Sequence, residues 1–219
     1  PRSTLFPYTT LFRSGLLNGL LVDLGADVEL LHTELEKLGV DGFHLHVHRV
    51  AKSAIWGTDF DVHLHHGEKD TGIEGDFDHD HEHHHDHEHH HHHSHADARS
   101  YADIHDLIAA SQLSPFVKEK SLEVFLDIAK AEAAVHNMPV EQIHFHEIGA
   151  IDSIVDIVSF FILVESLGID TVYSTPLTEG SGTISVAHGE MPVPVPAVMQ
   201  LRKGTTIPIT QDFTVKTEL

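Results

Sequence analysis

From residue 16 onward the apolar positions recur with two distinct periods, and the switches between them mark the elements. Leu16, Leu17, Leu20, Leu21 and Leu24 repeat at spacings of three and four, the signature of a helix, and Gly25 stops the run. A second helix is expected over residues 27–38, ended by Gly39. The period then drops to two. Phe43, Leu45 and Val47 alternate with His44, His46 and His48, and Phe60, Val62 and Leu64 alternate with Asp59, Asp61, His63 and His65. Alternation buries one face and exposes the other, so these stretches predict a pair of antiparallel strands.

Helical spacing resumes after Ser100, a suitable N-cap with Asp103 three residues on, and continues to about Ala110. A longer helix opens at Ser114-Pro115, with proline in the first helical position, and runs to about His136, where Asn137 and Pro139 end it. A short strand over 142–148, a helix over 152–167 stopped by Gly168, and a strand over 171–174 follow. The remainder is rich in Gly and Pro, with a short helix near 197–202 and a strand near 206–209. Interleaved strands and helices predict an α/β (or α+β) fold, a mixed sheet with packed helices, interrupted by a His-rich loop. The expected divisions are 1–15, a leader unlike the rest; 16–66, helices and a strand pair; 67–99, a disordered His/Asp-rich loop; and 100–219, an α/β part.

Composition narrows the chemistry. The formal charge is -21 with His neutral, which argues against nucleic acid and anionic membranes and suits cations. An apolar share of 41% is enough for a core. Without Cys, disulfides, thiolate metal sites and cysteine nucleophiles are excluded, so a bound metal must rest on imidazole and carboxylate. No stretch approaches the roughly 18 apolar residues of a membrane span, and no signal peptide is recognisable. The expectation is a cytoplasmic protein with no membrane partner.

Between residues 79 and 95, twelve of seventeen positions are His: His79, His81, His83, His84, His85, His87, His89, His90, His91, His92, His93 and His95. Such a segment cannot bury enough apolar surface to fold. Neutral imidazole binds nickel, zinc, copper and cobalt, and overlapping ligand sets suit storage or delivery better than one fixed geometry. A purification tag would be terminal and uninterrupted, and an inert spacer would not need imidazole. The exposed His44, His46, His48, His63 and His65 either extend this reservoir across the strand pair or form a solvated polar face.

A second constellation is His144-Phe145-His146-Glu147. On a strand, His144 and His146 share a face while Phe145 anchors the other, so the two imidazoles can share an ion with Glu147 or a nearby acid. Asp152 and Asp156 lie four residues apart on one helical face. Asp152 has a plain reading as a helix N-terminal acid. Asp156, set among Ile154, Val155, Ile157 and Val158, needs a partner if buried. Gly180-Ser181-Gly182 offers backbone amides that can cradle a phosphate, although a plain turn also explains it. His188 precedes Pro192, Pro194 and Pro196, which favour an extended segment.

The stretches VHNMPVEQIHFHEIGAIDSIVDIV and STPLTEGSGTISVAHGEMPVPVPA closely resemble the LarC family of nickel-insertion proteins. The resemblance runs from about Leu16 to the C-terminus and includes VDLGAD near Val22 and the internal His-rich loop. It implies insertion of Ni2+ into pyridinium-3,5-bisthiocarboxylic acid mononucleotide to give the nickel-pincer cofactor, with CTP and Mg2+ or Mn2+ as further requirements. A chelatase/cyclometallase of the lyase class is implied, with nickel-pincer-dependent enzymes as recipients and a homo-oligomer allowed. Metallation of the pyridinium ring releases a proton and calls for a base, for which Glu147 and His188 are the candidates. The family's opening strand, with its Gly-Ile-Ser-Gly-Asp-like turn, and its C-terminal domain are expected to be missing here. Two rivals are a non-enzymatic metal buffer and a metal-dependent hydrolase using His144, His146, Asp152 and Asp156.

Overall fold

The computed structural model describes residues 14–64, 99–145, 149–186 and 189–213. Two helices open the described chain, α1 (Ser14–Asp23) and α2 (Val28–Glu36). Gly25 and Gly39 end them in the left-handed region, at φ 104° and 74°. Asp27 caps α2 by accepting from the amides of Glu29 and Leu30. Strands β1 (Phe43–Lys52) and β2 (Ile55–Leu64) then pair antiparallel over ten rungs, which makes the hairpin longer than the alternating core of the sequence pattern. Its tip, carrying Ile55 and the chain's single tryptophan, Trp56, is exposed.

The second half begins with β3 (Arg99–Ser100) and α3 (Tyr101–Ala110). Ser100 and Asp103 form the reciprocal capping box that their spacing suggests. Next is α4 (Pro115–His136), capped by Ser114 and ended by Asn137 at φ 51°. The strand expected over 142–148 is shorter in the described residues. Val140–Gln142 forms a single 3-10 turn, and only β4 (His144–Phe145) pairs, antiparallel to β3. Helix α5 (Ile151–Ser166) follows, and then β5 (Leu177–Glu179), β6 (Thr183–Val186), β7 (Gly189–Pro192), α6 (Pro196–Arg202) and β8 (Ile209–Gln211).

The architecture is mixed α/β. Among the described residues the strands form four two-stranded pairs, three antiparallel and one, β5–β8, parallel. Residues 171–174 form no strand, because Val172 and Tyr173 find no sheet edge and lie exposed. The proline-rich stretch is only partly extended: the Val193–Pro194 bond is cis and Pro196 opens α6. The last strand lies two to three residues beyond its expected place.

Helix α5 is the hub. Its Ile154, Val155, Val158 and Leu163 are fully enclosed, and it packs against α1, α2, α4 and β2. A smaller cluster, Ile184, Val193, Val195 and Val198, joins the β6–β7 pair to α6. The leucine spacing of α1 marks a helix correctly, yet Leu16, Leu17, Leu20 and Leu24 face outward. The inward face carries Gly15, Asn18, Gly19 and Leu21, because α1 lies directly on the backbone of β2. A Cβ at Gly15 would stand 2.7 Å from the Phe60 carbonyl oxygen, and one at Gly19 would come closer still to that of Thr58. Replacing Gly19 with Ala is therefore expected to destabilise the fold by about 1–3 kcal/mol, read as a lowered denaturation midpoint. An unchanged midpoint would show that α1 can lift from β2 at no cost.

Candidate metal centre

The hairpin is two-sided. Phe43, Leu45 and Val47 of β1 and Phe60 and Val62 of β2 pack toward the core, with Phe60 only 5% exposed. Period two sends the intervening residues to the opposite face. Directly opposed across the strands are His44 and His63, His46 and Asp61, and His48 and Asp59. Four imidazoles and two carboxylates thus form three alternate rungs on a solvent-facing surface.

The rungs are not equivalent. The rings of His46 and His63 are 4.3 Å apart between centroids, those of His44 and His46 4.7 Å, and those of His44 and His63 5.4 Å. One ring nitrogen from each comes within 4.8 Å of the others, and this is the three-ligand group found among the described residues. His63 Nε2 also lies 2.9 Å from Asp61 Oδ2. His48 turns instead to Asp59, 3.8 Å away.

Helix α1 braces the hairpin. The Asp23 carboxylate accepts from the backbone amide of Thr58 at 3.1 Å and from its hydroxyl at 2.7 Å, and it pairs with Arg49 of the facing strand. The Thr58 hydroxyl, aided by the Thr58 amide and the Arg49 charge, holds the Asp23 carboxyl below its ordinary pKa of 3.8 against a smaller opposing effect of burial.

The other sequence-derived residues are distributed elsewhere. His144 is exposed on β4, paired with Ser100, and its charge adds to the lowering of the Asp103 carboxyl, which is due mainly to the Ser100 hydroxyl and amide. Phe145 is buried beside Phe125, 6.4 Å between rings, as its anchoring part requires. His146, Glu147, His188 and all twelve tract histidines lie outside the described residues. Asp152 sits half-buried in the first turn of α5 and accepts from the Ser153 amide at 2.7 Å. Asp156 is half-buried, and the fully buried Asn18 donates to its backbone carbonyl at 3.1 Å and to its carboxylate at 3.5 Å. Among the described residues, His144, Asp152 and Asp156 do not gather into a three-ligand group.

The Gly180-Ser181-Gly182 loop is tied at both ends. Gln211 Nε2 donates to the Gly180 carbonyl at 3.2 Å, and the Val193 amide to that of Gly182 at 3.0 Å. Beside it, at the end of β5, Glu179 is enclosed with Arg202 at 3.6 Å, and among the described residues neither terminal guanidinium nitrogen of Arg202 has a hydrogen-bond partner. Arg202 was not singled out by the sequence, because a lone basic residue at a helix C-terminus reads as a routine dipole partner.

An α/β scaffold carrying a row of imidazoles and carboxylates defines a protein suited to handling a transition-metal cation. The chain belongs to the nickel insertion protein family, whose model matches residues 14–219. It is 55% identical over 201 residues to the pyridinium-3,5-bisthiocarboxylic acid mononucleotide nickel insertion protein of Lactiplantibacillus plantarum, an alignment covering 92% of this chain and 46% of that protein. The protein of the same name from Acetivibrio thermocellus is 42% identical over 205 residues, covering 93% of this chain and 45% of the relative. A putative nickel insertion protein of Enterococcus faecalis is 68% identical over 113 residues, covering 52% of this chain and 35% of the relative. The chain thus spans less than half the length of these relatives. No solved structure matches it.

The lowered Asp23 and Asp103 carboxyls make a pH-dependent contribution to stability. A depressed folded-state pKa stabilises above the unfolded value of 3.8 and is lost as pH falls through the folded value. Thermal midpoints at pH 7 and pH 3 should therefore differ less in Asp23→Asn than in the parent. An equal drop would show that Asp23 does not couple α1 to the hairpin.

Proposed function

We propose that this chain is the nickel-collecting and nickel-inserting part of a protein that places nickel in pyridinium-3,5-bisthiocarboxylic acid mononucleotide, giving the nickel-pincer cofactor. The single observation that carries this reading is the imidazole-lined face of the β1–β2 hairpin, which precedes the histidine tract in sequence. A nickel insertion protein needs a way to concentrate the ion and a firmer place to hold it before transfer, and imidazole supplies both.

In this reading the tract histidines, from His79 to His95, are the reservoir. His144, His146 and Glu147 are the ligands that present one ion to the mononucleotide. Gly180, Ser181 and Gly182 cradle its phosphate. Formation of the carbon–nickel bond releases a ring proton to Glu147 or His188. CTP, with Mg2+ or Mn2+, binds a part of the full-length relatives beyond this chain. The reaction is a cytoplasmic cyclometallation of the lyase class, and nickel-pincer enzymes receive the product.

Nickel titration by calorimetry tests the reading, on this chain and on a version lacking residues 78–95. The shortened protein is expected to keep tight nickel, and His144→Ala or His146→Ala is expected to remove one equivalent. Loss of all tight binding on deletion would instead identify a buffer whose folded part is only a scaffold. The tract itself should release metal steeply between about pH 7 and 5.5, as imidazoles with an ordinary pKa near about 6.5 take up protons. An affinity flat down to about pH 5 would assign the ion to carboxylates.

A further inference from the structure

The geometry points to a second fixed nickel site, formed by His44, His46 and His63 on the hairpin and separate from the HFHE segment; this rests on the nickel-handling reading above. Three features of the face carry it. First, the register sets His44 directly across from His63, with His46 two residues along β1 on the same side, so three rings from two strands meet on one surface. Three imidazole nitrogens on one ion stand about 3 Å apart, because each metal–nitrogen bond is about 2.0–2.1 Å long. Here the nitrogens already lie within 4.8 Å of one another. His44 and His46 are exposed and His63 half-exposed, so rotation of solvated side chains covers the remainder without moving backbone.

Second, Asp61 orients one of the three. With His63 Nε2–H donated to Asp61 Oδ2 at 2.9 Å, the lone pair of His63 resides on Nδ1. A carboxylate behind a ligating imidazole fixes its tautomer and raises its basicity. Asp61 is also the residue directly opposite His46, which puts its negative charge in the same rung as a ligand. Third, the strands cannot drift. Phe60 is locked in the core between Asp61 and Asp59 in sequence, and Asp23 grips Thr58 five residues before His63. The tract offers many interchangeable ligand sets, whereas this site offers one.

Three imidazoles leave the ion's other positions to water or to an incoming ligand, the arrangement of an open site rather than a closed structural one. A divalent late transition cation held this way can be passed on.

The test uses the chain lacking residues 78–95, titrated with nickel by calorimetry and with cobalt(II) by visible absorption. His44→Ala, His46→Ala and His63→Ala are each expected to weaken one tight equivalent about 100-fold or more and to alter the cobalt ligand-field bands. Asp61→Asn should weaken the same equivalent about 10-fold. His105→Ala on α3, outside the hairpin, should leave it in place. Far-UV circular dichroism confirms that each variant is folded, and three separate substitutions on an exposed face guard against a single misfolded protein. If the three hairpin variants bind nickel as the shortened parent does while His144→Ala loses an equivalent, the proposed function stands and this site is overturned. If no shortened protein binds nickel tightly, both fall.

Discussion

A slip of one residue between β1 and β2 would turn His44, His46, His48 and His63 into the core and expose Phe43, Leu45, Val47 and Phe60 to water. The register of this hairpin is the constraint on which the imidazole-bearing face depends. It is held from the apolar side by burial of Phe60 and its neighbours, which a slip would forfeit at about 1.5–3 kcal/mol for each large side chain exposed. It is held from the edge by Asp23, which fastens Thr58 and pairs with Arg49 on the facing strand. α1 can reach that position only because Gly15 and Gly19 let its backbone lie on that of β2.

This arrangement separates the tasks of the two hairpin faces. The apolar face contributes stability and joins α1 and α5 in one core. The polar face carries little of the folding energy, so its composition is free to answer to metal chemistry. In a chain without cysteine, neutral imidazole suits a late transition ion, and the alternation of His and Asp across the rungs sets carboxylates beside it.

Much of the fold was legible because the signals are local. Ser100 with Asp103, Ser114 with Pro115, and Gly25, Gly39 and Gly168 each act within one helical turn, and the structure uses each as its spacing suggests. Failures came where the deciding partner is distant. The β-prone Val172 and Tyr173 pair with no strand among the described residues. The leucines of α1 mark a helix, but the inward face is chosen by a close approach to β2 that only the glycines permit. The same holds for the site. Alternating histidines were visible as a candidate polar face, but which three converge depends on pairing residue 44 with residue 63. The need of Asp156 for a partner was readable, whereas Asn18, 138 positions away, was not. The family resemblance, by contrast, was carried by two contiguous motifs and required no contact information.

The tip of the hairpin carries a practical consequence. Trp56 is the chain's one tryptophan and stands 63% exposed at the end of the strand pair remote from His44 and His63. Intrinsic fluorescence therefore watches the outermost rungs, while circular dichroism near 222 nm watches the helices around α5. Agreement between the two signals during unfolding would mean that the strand pair and the helical core melt as one cooperative unit. An earlier fluorescence transition would mean that the outer rungs fray first, with the imidazole end still seated on the core.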